Sequence, residues 1–255
     1  DRRWRVMMRP KEIRRQARIT LTGNYFFAVN LNISLTIFTM ALTIVLQSTS
    51  LGASPLVLNQ VLFWVLNLIV LLLNALLTVG LIRYLYSLCR KAPVNQPGLL
   101  FYAFRAQPDT FILTYLFRYA VSLVWFAPAL YCYLRLPLSI DLANMPTEVI
   151  QLMTHMAAYA LLAIIPAVLI SLPWCLTEFV LLDDPYCSAH NALQTSRRLM
   201  QGQYIRILRL WLGFLPLCLL GIGSMGIGFL WIRPYFYVSM GHVYLELRDD
   251  QTIEF

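Results

Sequence analysis

Four ionisable side chains lie inside long apolar runs of the sequence: Arg118, Glu178, Arg233 and His242. If these runs cross a membrane, each charge is costly unless it pairs with another group or lines a polar path. Arg118 and Glu178 lie at similar depths, which differ by about 6 Å at 1.5 Å per residue, so an ion pair is one expectation. The other, which is favoured, is that Arg118 extends to lipid headgroups while Glu178 lies at the membrane interface.

Arg233 and His242 share the last apolar run but carry different expectations. Arg233 is expected near the side opposite the chain termini, where it extends toward headgroups or meets Glu148, Asp141 or lipid phosphates. His242 is expected to form a packing hydrogen bond, and a proton relay is the alternative. The four residues together are the candidate polar site within the membrane.

Asp183 and Asp184 form a pair of adjacent carboxylates. Such a pair could bind Mg²⁺ for a reaction on a phospholipid. Alternatively, Asp184 caps a helix whose first turn contains Pro185, where the missing N–H costs nothing. Capping is favoured because no third carboxylate lies at helical spacing from the pair.

Motifs typical of cofactor binding, metal binding and catalysis give no further candidate site. Gly221, Gly223 and Gly226 match the GxGxxG spacing of dinucleotide-binding turns, but a leucine-rich run precedes them, so we predict a tight turn between helices. The five cysteines lack the spacing of metal ligands and are predicted to be free packing thiols. The sequence contains no HExxH, GxSxG, P-loop or GxGD motif, so we expect no enzymatic activity, no metal and no cofactor.

The composition indicates a membrane protein. The chain has 255 residues, of which 59% are hydrophobic and 13% charged, and its mean hydropathy is +0.65. A soluble domain of this length carries more charge. Several apolar runs reach the roughly 20 residues that a helix needs to cross about 30 Å of hydrocarbon. We therefore predict an all-α, polytopic membrane helical bundle with about six transmembrane helices, at residues 26–47, 56–82, 111–134, 152–181, 207–223 and 227–247.

Lysine and arginine residues concentrate on one side of this arrangement. They fall in the N-terminal arm and in the connections after the second and fourth spans, whereas the opposite connections have few. Because loops rich in Lys and Arg stay in the cytoplasm, both termini are predicted to be cytoplasmic. The net charge of +8 lies beside apolar runs and not along a continuous polar face, so nucleic acid is not an expected partner.

Two of the basic segments repeat one layout. The first reads ARITLTGNYF and the second SRRLMQGQYI, each with a glycine and a tyrosine just before an apolar run. Each is predicted to be an amphipathic interfacial helix whose weakly apolar side rests at the headgroup level. That side carries Ile13, Ala17 and Leu21 in the first copy and Ala192, Ser196 and Met200 in the second. The arginines expected to dock anionic membrane lipids or a partner protein are Arg14, Arg15, Arg18, Arg197 and Arg198.

A weaker third copy, LLFYAFRAQPDTF, has Pro108 in place of the glycine turn. Three parallel repeats, each an interfacial helix followed by a helical hairpin, are therefore expected within one membrane domain. The fourth span contains Pro166 and Pro173 and is expected to be kinked. The predicted segments of this domain, 1–255, are an arm 1–25, a hairpin 26–82, a connection 83–110, a hairpin 111–182, an interfacial helix 183–206, a hairpin 207–247 and a tail 248–255.

Several segments of the C-terminal part are distinctive. They are Asp184-Pro185, the SRRLMQG helix end, the LGIGSMGIGFLW hairpin and the PYFYVSMGHVYLEL run, within roughly residues 180–247. In these segments the chain resembles a bacterial integral membrane family catalogued as domain of unknown function nine-hundred-seventy-five. The segment ARITLTGNYFFA agrees more loosely, and Arg233 stands where the family is expected to have an apolar residue. The resemblance implies this fold and a bacterial inner membrane location, but no reaction and no catalytic residues.

Three functions remain open at this point. The favoured one is a non-enzymatic integral membrane protein that acts as scaffold, adaptor or assembly partner, with a protein partner or a second copy of the chain. The alternative is a small transporter or channel-like carrier, in which Arg118, Glu178 and His242 line a path for a lipid or small anion. A lipid-modifying enzyme that uses Asp183 and Asp184 is the least favoured.

Overall fold

The structure, a computed structural model, describes residues 8–49, 56–92, 98–136 and 146–252. These residues form helices joined by turns, with no strand among them, and the all-α prediction is confirmed. The α-helices are α1 (Pro10–Leu21), α2 (Tyr25–Ser48), α3 (Val57–Cys89), α4 (Tyr102–Arg105), α5 (Pro108–Leu134), α6 (Thr147–Ser171), α7 (Thr177–Asp183), α8 (Ala189–Met200), α9 (Tyr204–Leu212), α10 (Leu215–Gly223) and α11 (Phe229–Thr252). Single-turn 3₁₀ helices lie at Leu99–Phe101 and Leu172–Trp174. Asp141 and the first residues of the predicted arm lie outside the described residues.

Five helical stretches of the described chain are long and apolar enough to cross a membrane. They are Tyr25–Ser48, Val57–Cys89, Pro108–Leu134, Thr147–Asp183 and Tyr204–Gly223, which correspond to the first five predicted spans. The sixth predicted span forms helix α11 but is not among the five. Helix α11 contains Arg233, His242 and Glu246, and it packs against α1, α2, α3 and α10. Because protein surrounds much of this helix, it does not need an apolar surface.

The fourth predicted span is interrupted near its end. Helix α6 finishes at Ser171, a 3₁₀ turn contains Pro173, and the short helix α7 begins at Thr177. Proline has no N–H to continue the helical hydrogen bonds, which explains the break, whereas Pro166 stays inside α6. The expected kink is confirmed, and it places Glu178 in the first turn of a separate helix.

The first and last copies of the repeat have the same backbone. Helices α1 and α8 each contain 12 residues and each leads into a turn with glycine. Thr22 has φ −58° and ψ 125° and precedes Gly23 at φ 88°, while Gln201 has φ −59° and ψ 129° and precedes Gly202 at φ 77°. These angles are those of a type II turn, which requires a positive φ at its third residue. The repeat is therefore present in the conformation as well as in the sequence.

The weaker copy of the repeat, LLFYAFRAQPDTF, lies between the other two in the chain and is much shorter. After Gly98 the chain forms the 3₁₀ turn and the four-residue helix α4, and α5 begins at Pro108. Gly80 of α3 allows this segment to approach closely, because a Cβ at that position would lie 2.5 Å from the Cα of Leu100. The interfacial helix expected for the middle copy is therefore reduced to two short turns in this part of the described chain.

The hydrophobic core lies on one side of the molecule. Its buried residues come from α1, the last part of α3, α7, α8, α9 and α11, and they include Ile13, Leu85, Met200 and Val243. The other parts of α2, α3, α5 and α6 carry exposed apolar side chains, as in residues 57–71. Such surfaces are expected where lipid surrounds a helix. The molecule is thus a packed layer that carries two long apolar hairpins, α2/α3 and α5/α6.

The apolar sides of α1 and α8 face this packed layer and not lipid. The residues predicted to rest at the headgroup level are at most 2% exposed: Ile13, Ala17, Leu21, Ala192, Ser196 and Met200. That prediction is wrong because α9 and α11 cover α1, while α5 and α7 cover α8. The opposite sides of the two helices remain exposed. We call these two exposed sides, which carry Arg15, Arg18, Arg197 and Arg198, the basic side.

The third hairpin, formed by α9, α10 and the start of α11, ends far short of the first. Asn32 of α2 donates from Nδ2 to the carbonyl oxygen of Leu230 at 3.0 Å, and Arg233 donates from Nη2 to Thr78 Oγ1 of α3 at 3.2 Å. Beyond these contacts α2 and α3 continue for about 24 Å and about 32 Å, at 1.5 Å per residue. The turn of the third hairpin, at residues 224–228, lies only a few residues beyond them.

Candidate functional site

Arg118 of α5 and Glu178 of α7 form an ion pair between Nη1 and Oε1. The two side chains are 25% and 12% exposed, so the pair is largely enclosed. The break after α6 makes this contact possible because it brings the first turn of α7 toward α5. The structure therefore contains the ion pair and not the favoured extension of Arg118 to headgroups. An enclosed pair of this kind keeps both groups charged and ties the two helices together.

Aromatic side chains of α5 lie beside the ion pair and next to it in the sequence. The guanidinium of Arg118 lies 5.8 Å from the ring centroid of Tyr115, which stacks on Tyr119 with centroids 6.2 Å apart. Phe117 meets the ring of Trp174 edge-on at 5.1 Å. The ring of Tyr115 stabilises the cation. The guanidinium is matched by its partner carboxylate, so this arrangement favours a structural clamp over an anion site.

Arg233 lies where α11 meets α3 and α10. It donates to Thr78. Thr78 lies closer to the C-terminal end of α3, which belongs to the packed layer, than to its N-terminal end. It also lines an open cavity of about 480 Å³ whose walls include Trp211, Phe214 and Phe236. The expected position near the side opposite the termini is wrong, because α11 begins beside Asn32, in the first third of α2. Glu148, at the start of α6, is not its partner.

His242 joins α11 to α1 through a hydrogen bond. Its Nε2 lies 2.8 Å from Thr20 Oγ1. Burial lowers the pKa of His242, because it disfavours the charged imidazolium. The expected packing hydrogen bond is therefore confirmed, and His242 contacts α1 and not the Arg118–Glu178 pair.

Asp183 is the centre of a cluster that sequence reasoning missed. Its carboxylate accepts from the hydroxyls of Tyr86 and Tyr244 at 3.2 and 3.1 Å, and it pairs with Arg90 at 3.0 Å and Arg248 at 2.6 Å. Burial, and next the neighbouring carboxylate, raise the pKa of Tyr244, so its hydroxyl stays protonated and donates. Tyr86 lies in α3 and Arg90 directly follows it, while Tyr244 and Arg248 lie in α11, so both helices are fixed to α7 at this point. They are too far apart in the sequence to have been recognised as partners.

Asp184 does not cap helix α8. Ser188 is the N-cap, and its Oγ accepts from the backbone N–H of Asn191 at 3.4 Å. Asp184 instead accepts from the backbone N–H of Tyr186 at 3.1 Å within the preceding turn. The predicted capping position is thus too early in the chain. The oxygens of Asp183 face cationic and hydroxyl donors, a set that suits a structural clamp better than a Mg²⁺ ion.

Glu246 and Arg206 form another enclosed ion pair, with side chains 13% and 14% exposed. Glu246 also accepts from the backbone N–H of Met8 at 2.6 Å, and Arg206 donates to the carbonyl oxygen of Met8 at 2.8 Å. These contacts join the start of the described chain to α9 and α11. The pattern matches that of Glu178 and Asp183, since each of these three carboxylates is turned inward and paired.

The arginines of the basic side have no such partners. Arg18 donates from Nε to the hydroxyl of Tyr235 at 3.3 Å, and the neighbouring Arg14 donates from Nη1 to the carbonyl oxygen of Gly213 at 2.8 Å. None of the five predicted docking arginines forms an ion pair with a residue that the structure describes. They are Arg14, Arg15, Arg18, Arg197 and Arg198. The positive charge of these five arginines is therefore not paired with any carboxylate that the structure describes.

The glycine-rich turn of the third hairpin has the predicted character. Gly226 has φ 91° and donates from its N–H to the carbonyl oxygen of Gly221 at 2.9 Å. A Cβ at Gly228 would lie 2.7 Å from the Cα of Gly221, so the two helices touch through glycine. The five cysteines are free thiols, as expected.

The fold and these contacts define an all-α polytopic membrane bundle with a basic side. Within this class, the chain belongs to the family described as Protein of unknown function (DUF975), whose model matches residues 7–251. The family resemblance of the C-terminal part is thus confirmed and covers nearly the whole chain. No curated protein and no solved structure matches the chain.

Proposed function

We propose that this chain is a non-enzymatic scaffold of the bacterial inner membrane, which holds an acidic surface of a cytoplasmic partner protein. The observation that supports this most is the sorting of charge. The most enclosed carboxylates, Glu178, Asp183 and Glu246, are paired inside the packed layer. The exposed arginines of the basic side have no carboxylate partner among the described residues, so they are available to another molecule.

The apolar hairpins provide the membrane anchor in this proposal. Helices α2, α3, α5 and α6 have exposed apolar surfaces over much of their length, and the packed layer holds their ends on the side of the arginines. Loops rich in Lys and Arg stay in the cytoplasm, so the basic side faces the cytoplasm and its proteins. A packed layer with unpaired exposed arginines suits the binding of a partner protein better than catalytic turnover of a substrate.

The test uses two exposed arginines of the basic side, Arg15 on α1 and Arg198 on α8. The full chain is purified in mild detergent from its own cells, and the co-purifying proteins are quantified for the wild type and for the Arg15→Gln/Arg198→Gln double variant. We expect the Gln variant to lose an acidic partner, and the charge-retaining Arg15→Lys/Arg198→Lys variant to keep it. A partner that is retained equally by all three proteins contradicts the proposal.

A carrier for a lipid or small anion is the second candidate. The observation that favours it is the open cavity beside Arg233, which places a cation against aromatic walls at the base of the third hairpin. In proteoliposomes, a carrier predicts that Arg233→Gln abolishes movement of a labelled anionic lipid between leaflets at unchanged protein content. A scaffold predicts no movement above that of protein-free vesicles for either protein.

A further inference from the structure

We propose that the two matching repeats each bind one anionic phospholipid, the first at Arg18 and the second at Arg197. The inference rests on the membrane placement in the proposed function and adds the class of ligand and the residues that select it. It starts from the observation that the equivalent arginine of each repeat lines a separate cavity.

Arg18 and Arg197 occupy the same place in the two copies. Each lies one turn before the end of a 12-residue helix, and each helix leads through the same type II turn into an apolar helix. Both are exposed, whereas the side of the helix that faces the core is fully packed. The two guanidinium groups are therefore held where an apolar helix starts, which is the level expected for lipid headgroups.

The first cavity has a volume of about 400 Å³ and lies between α1 and the third hairpin. Arg18, Thr22 and Tyr25 form its polar edge, and Leu217, Trp231 and Ile232 form its apolar wall. The guanidinium of Arg18 donates only through Nε, to the hydroxyl of Tyr235. Its two terminal nitrogens have no hydrogen-bond partner among the described residues and remain available for an anion.

The second cavity has a volume of about 520 Å³ and lies between α8 and α5. Arg197, Gln194 and His190 form its polar edge, and Leu113, Phe117 and Trp174 form its apolar wall. Arg197 makes no hydrogen bond or ion pair with any residue that the structure describes. Each repeat thus combines an unmatched guanidinium with an apolar cavity that contains one tryptophan.

A phospholipid matches both features of these cavities. Its phosphate accepts two parallel hydrogen bonds from one guanidinium, and an acyl chain covers the apolar wall. Free phosphate would leave that wall exposed to water. A zwitterionic lipid carries an ammonium group that reduces the attraction to arginine. The exposed neighbours Arg15 and Arg198 line neither cavity, so they serve as matched controls for general charge attraction.

The test counts bound lipids on the full chain by native mass spectrometry. The protein is equilibrated in mild detergent with equal amounts of phosphatidylglycerol and phosphatidylcholine. We expect the wild type to retain two phosphatidylglycerol molecules, Arg18→Gln and Arg197→Gln to retain one each, and the double variant to retain none. We expect Arg15→Gln and Arg198→Gln to retain two.

A second measurement locates the lipid without relying on the charge variants. Phosphatidylglycerol with brominated acyl chains should quench tryptophan emission in the wild type, and Trp231→Phe and Trp174→Phe should each remove part of the quenched signal. Equal lipid loss in the Arg15→Gln and Arg198→Gln controls, equal retention of phosphatidylcholine, or displacement by inorganic phosphate alone would overturn the proposal. Retention of the partner protein by the Arg15→Gln/Arg198→Gln variant, with lipid counts unchanged, would contradict only the scaffold function.

Discussion

Enclosed charges in this protein are stabilised residue by residue through specific partners. Arg118 pairs with Glu178, Arg206 pairs with Glu246, and Asp183 receives four donors. Each pair joins two helices, so the cost of removing the charges from water is offset by contacts that also determine helix position. Arg118 and Glu178, which lie within apolar runs of the sequence, are therefore parts of the framework.

Replacing one member of the Arg118–Glu178 pair should destabilise the protein. Arg118→Ala or Glu178→Ala leaves an enclosed charge without its partner, and the free energy of unfolding should fall by about 2–4 kcal/mol. The Arg118→Met/Glu178→Leu double variant removes both charges and should recover much of the loss. Denaturant unfolding in detergent measures all three. Additive losses in the double variant would show that the two side chains are not coupled.

Replacing Asp183 should loosen the C-terminal helix. Asp183→Asn removes the negative charge that holds Arg90 and Arg248, while its neighbour Asp184 accepts only a local backbone bond. Limited trypsin digestion should cleave after Arg248 several times faster in Asp183→Asn than in the wild type. The Asp184→Asn variant is the control and should digest at the wild-type rate; faster digestion of both would point to a general effect of charge.

The repeated elements depend on a turn that only glycine forms without strain. Helices α1 and α8 run into type II turns with Gly23 at φ 88° and Gly202 at φ 77°. No atom lies within 4 Å of a Cβ built at either glycine, so space is not what requires glycine there. The backbone conformation alone requires it, and this turn sets the angle at which α2 and α9 leave the packed layer.

Replacing these turn glycines with alanine should therefore measure the strain that a side chain causes at positive φ, without a contribution from steric contacts. Gly23→Ala and Gly202→Ala should each lower the free energy of unfolding by about 1 kcal/mol, because a side chain is strained at positive φ. Gly223 has equally open surroundings and no positive φ, so Gly223→Ala is the matched control. Thermal unfolding in detergent compares the three variants. A control as destabilised as the turn variants would contradict this explanation.

The third hairpin should enter only the near part of the bilayer. Its contacts to Asn32 and Thr78 leave about 24 Å of α2 and about 32 Å of α3 beyond it. Its tip is nevertheless apolar and exposed at Leu219, Leu220 and Met225, as expected for contact with lipid. The hairpin would thus act as a wedge in one leaflet.

Cysteine labelling measures this depth. In a variant without the native cysteines, Ser48→Cys at the end of α2 should react with an impermeant maleimide applied outside the cell. Ser224→Cys at the tip of the third hairpin should not react from that side. If both positions label equally, the third hairpin crosses the membrane and its depth has been underestimated.

The whole molecule is a packed layer with two apolar hairpins extending from it. The buried core draws on α1, α3, α7, α8, α9 and α11, and both ends of the described chain take part in it, through Met8 and Glu246. Each of the two hairpins therefore leaves the packed layer and returns to it. The arginine-rich helices α1 and α8 both belong to this layer.

Both termini should consequently lie on the same side of the membrane, which reporter proteins fused to them can show. Green fluorescent protein fused to either end of the chain should fluoresce, and alkaline phosphatase fused to either end should be inactive, because both termini are expected in the cytoplasm. The same reporters inserted after Thr49 should give the opposite result. Opposite results from the two termini would contradict the arrangement.

Local features of the sequence predicted much of this protein correctly. Apolar runs and the scarcity of charge predicted an all-α membrane bundle, because each span is defined by its own residues. The two GNY and GQY segments predicted repeated turns, since turn conformation depends on the residues within the turn. The glycine-rich hairpin and the proline kink were predictable for the same reason.

Only the tertiary structure decided which residues meet. The pairing of Arg118 with Glu178, the cluster at Asp183 and the depth of the third hairpin depend on contacts between distant segments. The apolar sides of α1 and α8 look alike whether they meet lipid or protein, because periodicity records polarity and not the identity of the neighbour. Packing of the helices against one another supplied that information.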